Sequence, residues 1–273
     1  MANSENTGKP LGVYRFGSIA YIKNIDIYSI AKDYKKGISV RQLSKKYRIE
    51  QHRLSIELKK IGIKVRPNWK YYDYEFKLPE KNNLYWFLGI MATDGYVHDK
   101  FIAIELHKRD KDILESIKRI CESNHPLKLR KNRPHYCLRL PKPFATLCRK
   151  HGIYQNKSKT IKFVDMEDKY FFDFLCGCID GDGSIRLNVG KTTKSICMYL
   201  CSSSMDFLQG INVKLKHFNL SGKIKKQKDK EFYKLFWGTR DTPNLCKLMY
   251  KNNYGGKRKC KLYKNWMEVM PKP

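Results

Sequence analysis

The sequence predicts an α+β protein of two pseudo-symmetric αββαββα half-domains, each built on an antiparallel sheet, plus a small all-α N-terminal module. Three observations predict it. Phe87-Leu88-Gly89-Ile90-Met91-Ala92-Thr93-Asp94-Gly95 aligns without gaps on Leu175-Cys176-Gly177-Cys178-Ile179-Asp180-Gly181-Asp182-Gly183. Each copy is followed by segments in which apolar and polar residues alternate, as strands with one covered face do. The first residues carry a helical period instead.

From the N-terminus, Ile27, Ile30, Ala31 and Tyr34 have the i, i+3, i+4, i+7 spacing of a one-faced helix. A second helix is expected from Ser39, an N-cap residue type, with Val40, Leu43 and Tyr47 inward. A third carries Leu54, Leu58 and Ile61 and stops at Gly62. Three short helices look like a helix-turn-helix module over 1–65, whose last helix would offer Gln51 and Arg53 to DNA; the bland alternative is a helical cap. Pro67, Pro79 and an aromatic cluster mark 66–82 as a linker.

The first half-domain, 83–164, opens on an apolar helix expected to end at Asp94-Gly95. Strands over 96–97 and 102–106, a helix over 111–122, strands over 127–131 and 136–140 and a last helix follow. The second, 165–273, repeats that order, with strands over 185–189 and 196–202, a helix over 205–217 and strands over 223–226 and 232–237.

Within 273 residues, 56 Lys+Arg against 26 Asp+Glu leave +30. A positive excess of this size attracts polyanions, nucleic acid first, so the wet faces of the two sheets are expected to bind DNA. A hydrophobic fraction of 41% argues against a disordered basic tail. No run approaches the roughly 18 apolar residues of a membrane span, and Met1 to Pro10 lacks the apolar core of a signal peptide. Nine scattered cysteines fit buried thiols in a reducing, intracellular compartment, with bacterial or phage-host cytoplasm and an organelle both open.

Both repeated helices carry a mid-run glycine, Gly89 and Gly177, where close helix packing would compensate the lost propensity. Helices packed there about a pseudo-twofold axis would bring Asp94 and Asp182 side by side, a setting for a divalent metal beside a phosphodiester. The paired nonapeptides resemble the motifs of the LAGLIDADG homing endonucleases in their single-chain form, over about 81–273. The resemblance implies that Asp94 and Asp182 ligate metal, Mg2+ or another divalent cation such as Mn2+ or Ca2+, and that the activity is magnesium-dependent double-strand DNA cleavage leaving short 3′ overhangs. It implies a basic residue from beyond each half-domain's last strand; Lys157 and Lys259 match best. Asp180 matches the motif's earlier, non-catalytic aspartate, and Ala92 stands at its counterpart.

Other readings of the same residues fail. A calcium loop starting at Asp180 would have Ile185 where glycine is needed and Lys191 where glutamate is needed. Gly190-Lys191-Thr192 lacks the earlier glycine of a phosphate-binding loop. An aspartic-protease dyad would follow strand loops rather than apolar helices, and Cys176 and Cys178, two apart on a helix, do not converge on zinc.

Expected DNA contacts in the first half are His98, Lys100, Glu105, His107, Arg130, Lys131, Arg133 and Arg139. In the second they are Arg186, Asn188, Lys191, Lys194, Ser202, Lys225, Gln227, Lys228 and Arg240. Three functions compete: an endonuclease for intron homing, acting as a monomer on a long asymmetric duplex site; an intron-RNA maturase; and a non-cleaving DNA-binding regulator. The paired terminal acids favour the first, since neither alternative needs them.

Overall fold

The computed structural model describes residues 13–16, 19–22, 26–36, 38–65, 74–189, 194–227, 231–252 and 255–269. The chain divides into two compact units, Met1–Asp73 and Tyr74–Pro273.

In the first unit, α1 (Ile27–Lys35), α2 (Val40–Tyr47) and α3 (Gln51–Lys60) close over Ile30, Leu43, Leu54 and Leu58, each at most 1% exposed. The caps explain the boundaries. The Ser39 hydroxyl accepts from Gln42 N while the Gln42 side chain accepts from Ser39 N, a reciprocal capping box. Glu50 accepts from the backbone N–H groups of His52 and Arg53 at the start of α3. Arg48, left-handed at φ 54°, makes the tight turn between α2 and α3. Asp33 on α1 accepts from Lys46 (2.6 Å) and from the Tyr47 hydroxyl (2.8 Å), tying α1 to α2.

This unit is not all-α, as the sequence reading had it. An antiparallel pair, β1 (Val13–Phe16) and β2 (Ile19–Ile22), precedes the helices, with Phe16 opposite Ile19. Six of its eight residues, in VYRF and IAYI, are β-branched or aromatic types that fit a pleated surface, and Gly17-Ser18 separates the two segments in sequence. The helical period that begins at Ile27 does not extend back over them.

The second unit holds the two half-domains. The first runs α4 (Lys81–Ala92), β3 (Gly95–Val97), β4 (Phe101–His107), α5 (Lys111–Ile120), β5 (Lys128–Leu129), β6 (His135–Pro141) and α6 (Lys142–Lys150), with sheet order β3-β4-β6-β5. The second runs α7 (Phe171–Asp180), β7 (Gly183–Val189), β8 (Lys194–Ser202), α8 (Met205–Lys216), β9 (Lys223–Lys226), β10 (Tyr233–Trp237) and α9 (Thr242–Met249), with order β7-β8-β10-β9. A further helix, α10 (Lys257–Val269), closes it. All neighbouring strands in both sheets are antiparallel. Among the described residues no helix is long and apolar enough to cross a membrane.

The core lies between the sheets' inner faces and the helices. Ile102, Ile104, Leu138 and Leu140 in one half, and Ile196, Met198, Leu200 and Leu235 in the other, are fully buried. Burying such a side chain contributes about 1.5–3 kcal/mol. Residues 74–80, the described part of the expected linker, lie along the first half-domain: Lys77 N donates to Cys121 O at 2.7 Å, and Phe76 packs on Phe144. After Lys157, residues 161–166 connect the halves and lie against α8. Ser204 Oγ donates to Ile161 O (2.6 Å) and Lys214 Nζ to Met166 O (3.1 Å).

Candidate active site and nucleic-acid interface

α4 and α7 are apolar nearly all round because each is enclosed on every side. Trp86 through Ala92 and Phe174 through Asp180 are buried without interruption. The two helices cross at Gly89 and Gly177. A Cβ on Gly89 would stand 2.2 Å from Phe174 O, and one on Gly177 would stand 2.1 Å from Trp86 O, so only glycine permits this approach. Polar ties cross the pair: Trp86 Nε1 donates to Asp180 Oδ2 at 3.0 Å, and Asn82 Nδ2 donates to Asp173 Oδ2 at 2.6 Å.

Both helices stop two residues before the repeated aspartates, not at them. Thr93 (φ −99°, ψ −87°) and Gly181 (φ −75°, ψ −100°) break the helical path in the same way, leaving Asp94 and Asp182 in the turns that lead into β3 and β7. The turns meet. A Cβ on Gly181 would lie 3.2 Å from Asp94 Oδ2 and would collide with the Thr93 hydroxyl. Loss of water in these surroundings, and then the charge of Asp182, push the Asp94 carboxyl up to about 6. Asp182 is also raised, by desolvation, against the pull of Lys157 and Lys259.

The two lysines occupy matching places. Lys157, 8% exposed, donates to Thr93 O (3.3 Å) and Gly95 O at the end of α4. Lys259, 4% exposed, donates to Ile179 O, Asp180 O (2.8 Å) and Gly181 O (3.3 Å) at the end of α7. A cation is favoured at a helix C-terminus, where carbonyls lack partners in the helix. Burial lowers the pKa of both, and the nearby aspartates oppose that: Asp182 and Asp94 at Lys157, Asp180 first at Lys259. Asp180 is turned away from this cluster. It is 3% exposed, accepts from Trp86 and from Gly256 N (2.9 Å), and is pushed up to about 6 by burial.

Among the described residues no group of three His, Cys, Asp or Glu side chains is placed to hold a metal ion by itself. Asp94 and Asp182 nevertheless fit a magnesium-type ion, which takes one or two carboxylates and completes its oxygen shell with water and substrate phosphate. Both carboxyls are raised first by loss of water, and at Asp94 the charge of Asp182 adds to that rise.

The sheets' outer faces follow from strand register. In the first half, Phe101, Ala103, Glu105 and His107 on β4 point away from the core, opposite Arg139, Cys137 and His135 on β6. Arg139 lies 4.0 Å over the Phe101 ring, and His98 stacks on the same ring at 4.6 Å. Arg130 (2.7 Å) and Arg133 (2.9 Å) converge on Glu105, so this acid organises two cations on the outer face. His107 Nδ1 accepts from Arg109 N at the strand end, while Lys100 and Lys131 are exposed in turns. In the second half, Arg186 donates to the Tyr199 hydroxyl (3.0 Å), Lys234 lies 4.6 Å over the Tyr199 ring and Lys225 pairs across with Lys234. Asn188 reaches Ser195 at 3.4 Å, and Gln227 N donates to Phe232 O in the hairpin turn.

Two expected contacts are not where the sequence reading put them. Ser202 shares the inward parity of Ile196, Met198 and Leu200, and its hydroxyl accepts from Ser204 N at the approach to α8. Arg240 lies past the end of β10 in the turn before α9. Lys191, Lys228 and the Lys194 side chain lie outside the described residues. The reading missed Tyr199, Lys234 and Phe236, which strand alternation places on the outer face once the β8–β10 register is known. Gln51 and Arg53 are on α3, whose His52, Arg53, Ile56, Lys59 and Lys60 are exposed.

The fold is that of a two-domain LAGLIDADG architecture. Residues 171–253, within the second half-domain, match the family model described as "LAGLIDADG-like domain". Among solved structures, meganuclease I-SmaMI bound to uncleaveable DNA with a TTCT central four is similar, at 11% identity and TM-score 0.50, covering 70% of this chain and 90% of that one. I-SmaMI bound to an uncleaved DNA target in the presence of calcium ions gives 10% identity and TM-score 0.51, covering 68% and 89%. At these identities the likeness establishes the fold. No curated protein matches the chain at a significant level.

Proposed function

We propose that this protein is a site-specific DNA endonuclease of the homing type that cuts both strands of a long, asymmetric duplex site. The observation that carries the proposal is the meeting of Asp94 and Asp182 between two buried lysines, at the shared end of helices whose sheets turn basic outer faces to solvent. A divalent cation, magnesium in the first instance, supplies charge neutralisation at the scissile phosphates when Asp94 and Asp182 hold it. The DNA-bound relatives in the comparison give this reading its substrate.

The chain's own residues do the rest. Lys157 and Lys259 are fixed by backbone carbonyls, so their ammonium groups are in place before charge develops on the phosphates and need no reorganisation then. Arg139, Arg186, Lys225 and Lys234 grip the phosphate backbone or base edges in the major groove. Both halves of the site are in one chain, so one chain serves one duplex, and short 3′ overhangs are the product that the resemblance to the LAGLIDADG homing endonucleases implies. In the N-terminal unit, the tight left-handed turn at Arg48 gives α2 and α3 a helix-turn-helix joint, and the exposed Arg53 and Lys59 of α3 add a second DNA contact. Neither an intron-RNA maturase nor a silent regulator requires two converging carboxylates.

The test is incubation with DNA spanning the uninterrupted host site, with and without magnesium, for the wild type and for Asp94→Asn and Asp182→Asn. Magnesium-dependent double-strand cutting, abolished in both variants while binding survives, is the expected result. Full cutting by either variant overturns the proposal.

A further inference from the structure

The two lysines of the site are held by different means. Lys157 sits in a single 3-10 turn, Lys157–Lys159, entered through left-handed Asn156 (φ 58°); the ion pair beside it, Lys159–Glu231, has both side chains about 70% exposed. Lys259 sits in the first turn of α10, and three carboxylates grip that turn. Asp180 Oδ2 accepts from Gly256 N (2.9 Å), Asp112 Oδ2 accepts from Lys257 N (2.7 Å), and Asp110 takes Arg258 in a fork (Nε–Oδ1 2.7 Å, Nη2–Oδ2 3.2 Å). Asp110 and Asp112 belong to the other half-domain, at the entry to α5. Their counterpart helix in the second half, α8, holds the segment after Lys157 by contacts to the carbonyls of Ile161 and Met166 instead.

The chemistry explains why this grip is needed. Lys257, Arg258 and Lys259 are consecutive cations opening a helix, the end at which positive charge is disfavoured. Asp112 satisfies a helix-start N–H, and Asp110 neutralises the middle cation through a bidentate pair that fixes orientation as well as distance. The lysine stem is flexible, so the placement of its ammonium against Ile179, Asp180 and Gly181 depends on where this turn is held.

We propose that Asp110, acting through Arg258, is a positioning residue that sets Lys259 in the site from the opposite half-domain, so that its loss impairs the Lys259 side of the centre and spares the Lys157 side. The proposal rests on the endonuclease reading only for its consequence: one DNA strand is then cut more slowly than the other.

The structural arm is amine labelling of the metal-free, full-length protein with an acetylating reagent, read by peptide mass spectrometry. Asp110→Asn and Arg258→Gln are each expected to raise modification of Lys259 by about tenfold, the scale of one lost charged hydrogen bond, with Lys157 unchanged and Asp110→Glu nearer the wild type. Unchanged Lys259, or an equal rise at Lys157 marking general loosening, overturns the proposal. The functional arm is strand-resolved cutting of the duplex identified above, in which Asp110→Asn is expected to accumulate a nicked product of one polarity. Equal slowing of both strands overturns the strand assignment. A wild type that cuts no duplex defeats the endonuclease reading and leaves the labelling result to decide the positioning role.

Discussion

Gly177 lies so close to Gly89 that a Cβ added to it would stand 3.0 Å from the Gly89 Cα. At the crossing the half-domains therefore meet backbone to backbone, and that approach sets how far apart Asp94 and Asp182 stand. Gly177→Ala is expected to force the helices apart and destabilise the protein by about 1–3 kcal/mol or more, the range for overpacking. Chemical denaturation measures this, and a change below about 0.5 kcal/mol, ordinary for a surface substitution, would contradict it.

Asp94 yields a pH prediction. Its folded pKa of about 6 lies above its ordinary 3.8, so ionising it costs the folded state. That cost is absent below the lower value, grows between the two and is complete above the upper one. In chelator, Asp94→Asn is expected to melt higher than the wild type at pH 8 and level with it at pH 3.5. A wild type that melts higher at pH 8 refutes the cost of ionising Asp94 in the folded state, which loss of water imposes first and the charge of Asp182 second.

For the lysines, Lys157→Met and Lys259→Met should each slow cutting by about 10²–10³-fold, the effect of removing one preorganised charge from a developing phosphorane. Binding should change much less, since both ammonium groups are buried against backbone carbonyls. Single-turnover cutting and gel-shift titration separate the two quantities.

Removing residues 1–73 should weaken DNA binding and flatten the slope of log affinity against log salt by about 0.9 for every phosphate that the truncated protein no longer neutralises. The cut position should stay, because no element of the Asp94–Asp182 cluster comes from that unit. An unchanged slope would make the three helices a structural cap.

Much of this was legible in the sequence because it is local. The paired nonapeptides, the alternation in Ile102 to Leu106 and the Ser39 cap are patterns within a few residues of themselves. Asp94 and Asp182 could be paired because the repeat itself supplies the symmetry. What was illegible needs a partner. The pairing of Tyr199 with Phe236 depends on the register of β8 against β10, and the cation over the Tyr199 ring is known only once Lys234 is seen to lie beside it. The strands β1 and β2 were missed because eight residues beside a strong helical period carry too little alternation to stand out. That Asp110 and Asp112 act on α10 is a relation across more than half the chain, and nothing in either segment announces it.

The connector at 161–166 has a consequence for how such a chain can be taken apart and rebuilt. Ser204 and Lys214 seize it by the carbonyls of Ile161 and Met166, atoms that every residue type supplies, while Lys162 and Asp165 between them face solvent. Those hydrogen bonds are blind to side-chain type, but Ile161, Val164 and Met166 are buried and Phe163 packs on Phe171 and Phe174, so the connector's apolar pattern is part of the joint. A seam of that kind is a splice point: halves from two such chains can be exchanged across it, provided the connector keeps its apolar side chains and each half brings a glycine to the crossing helices.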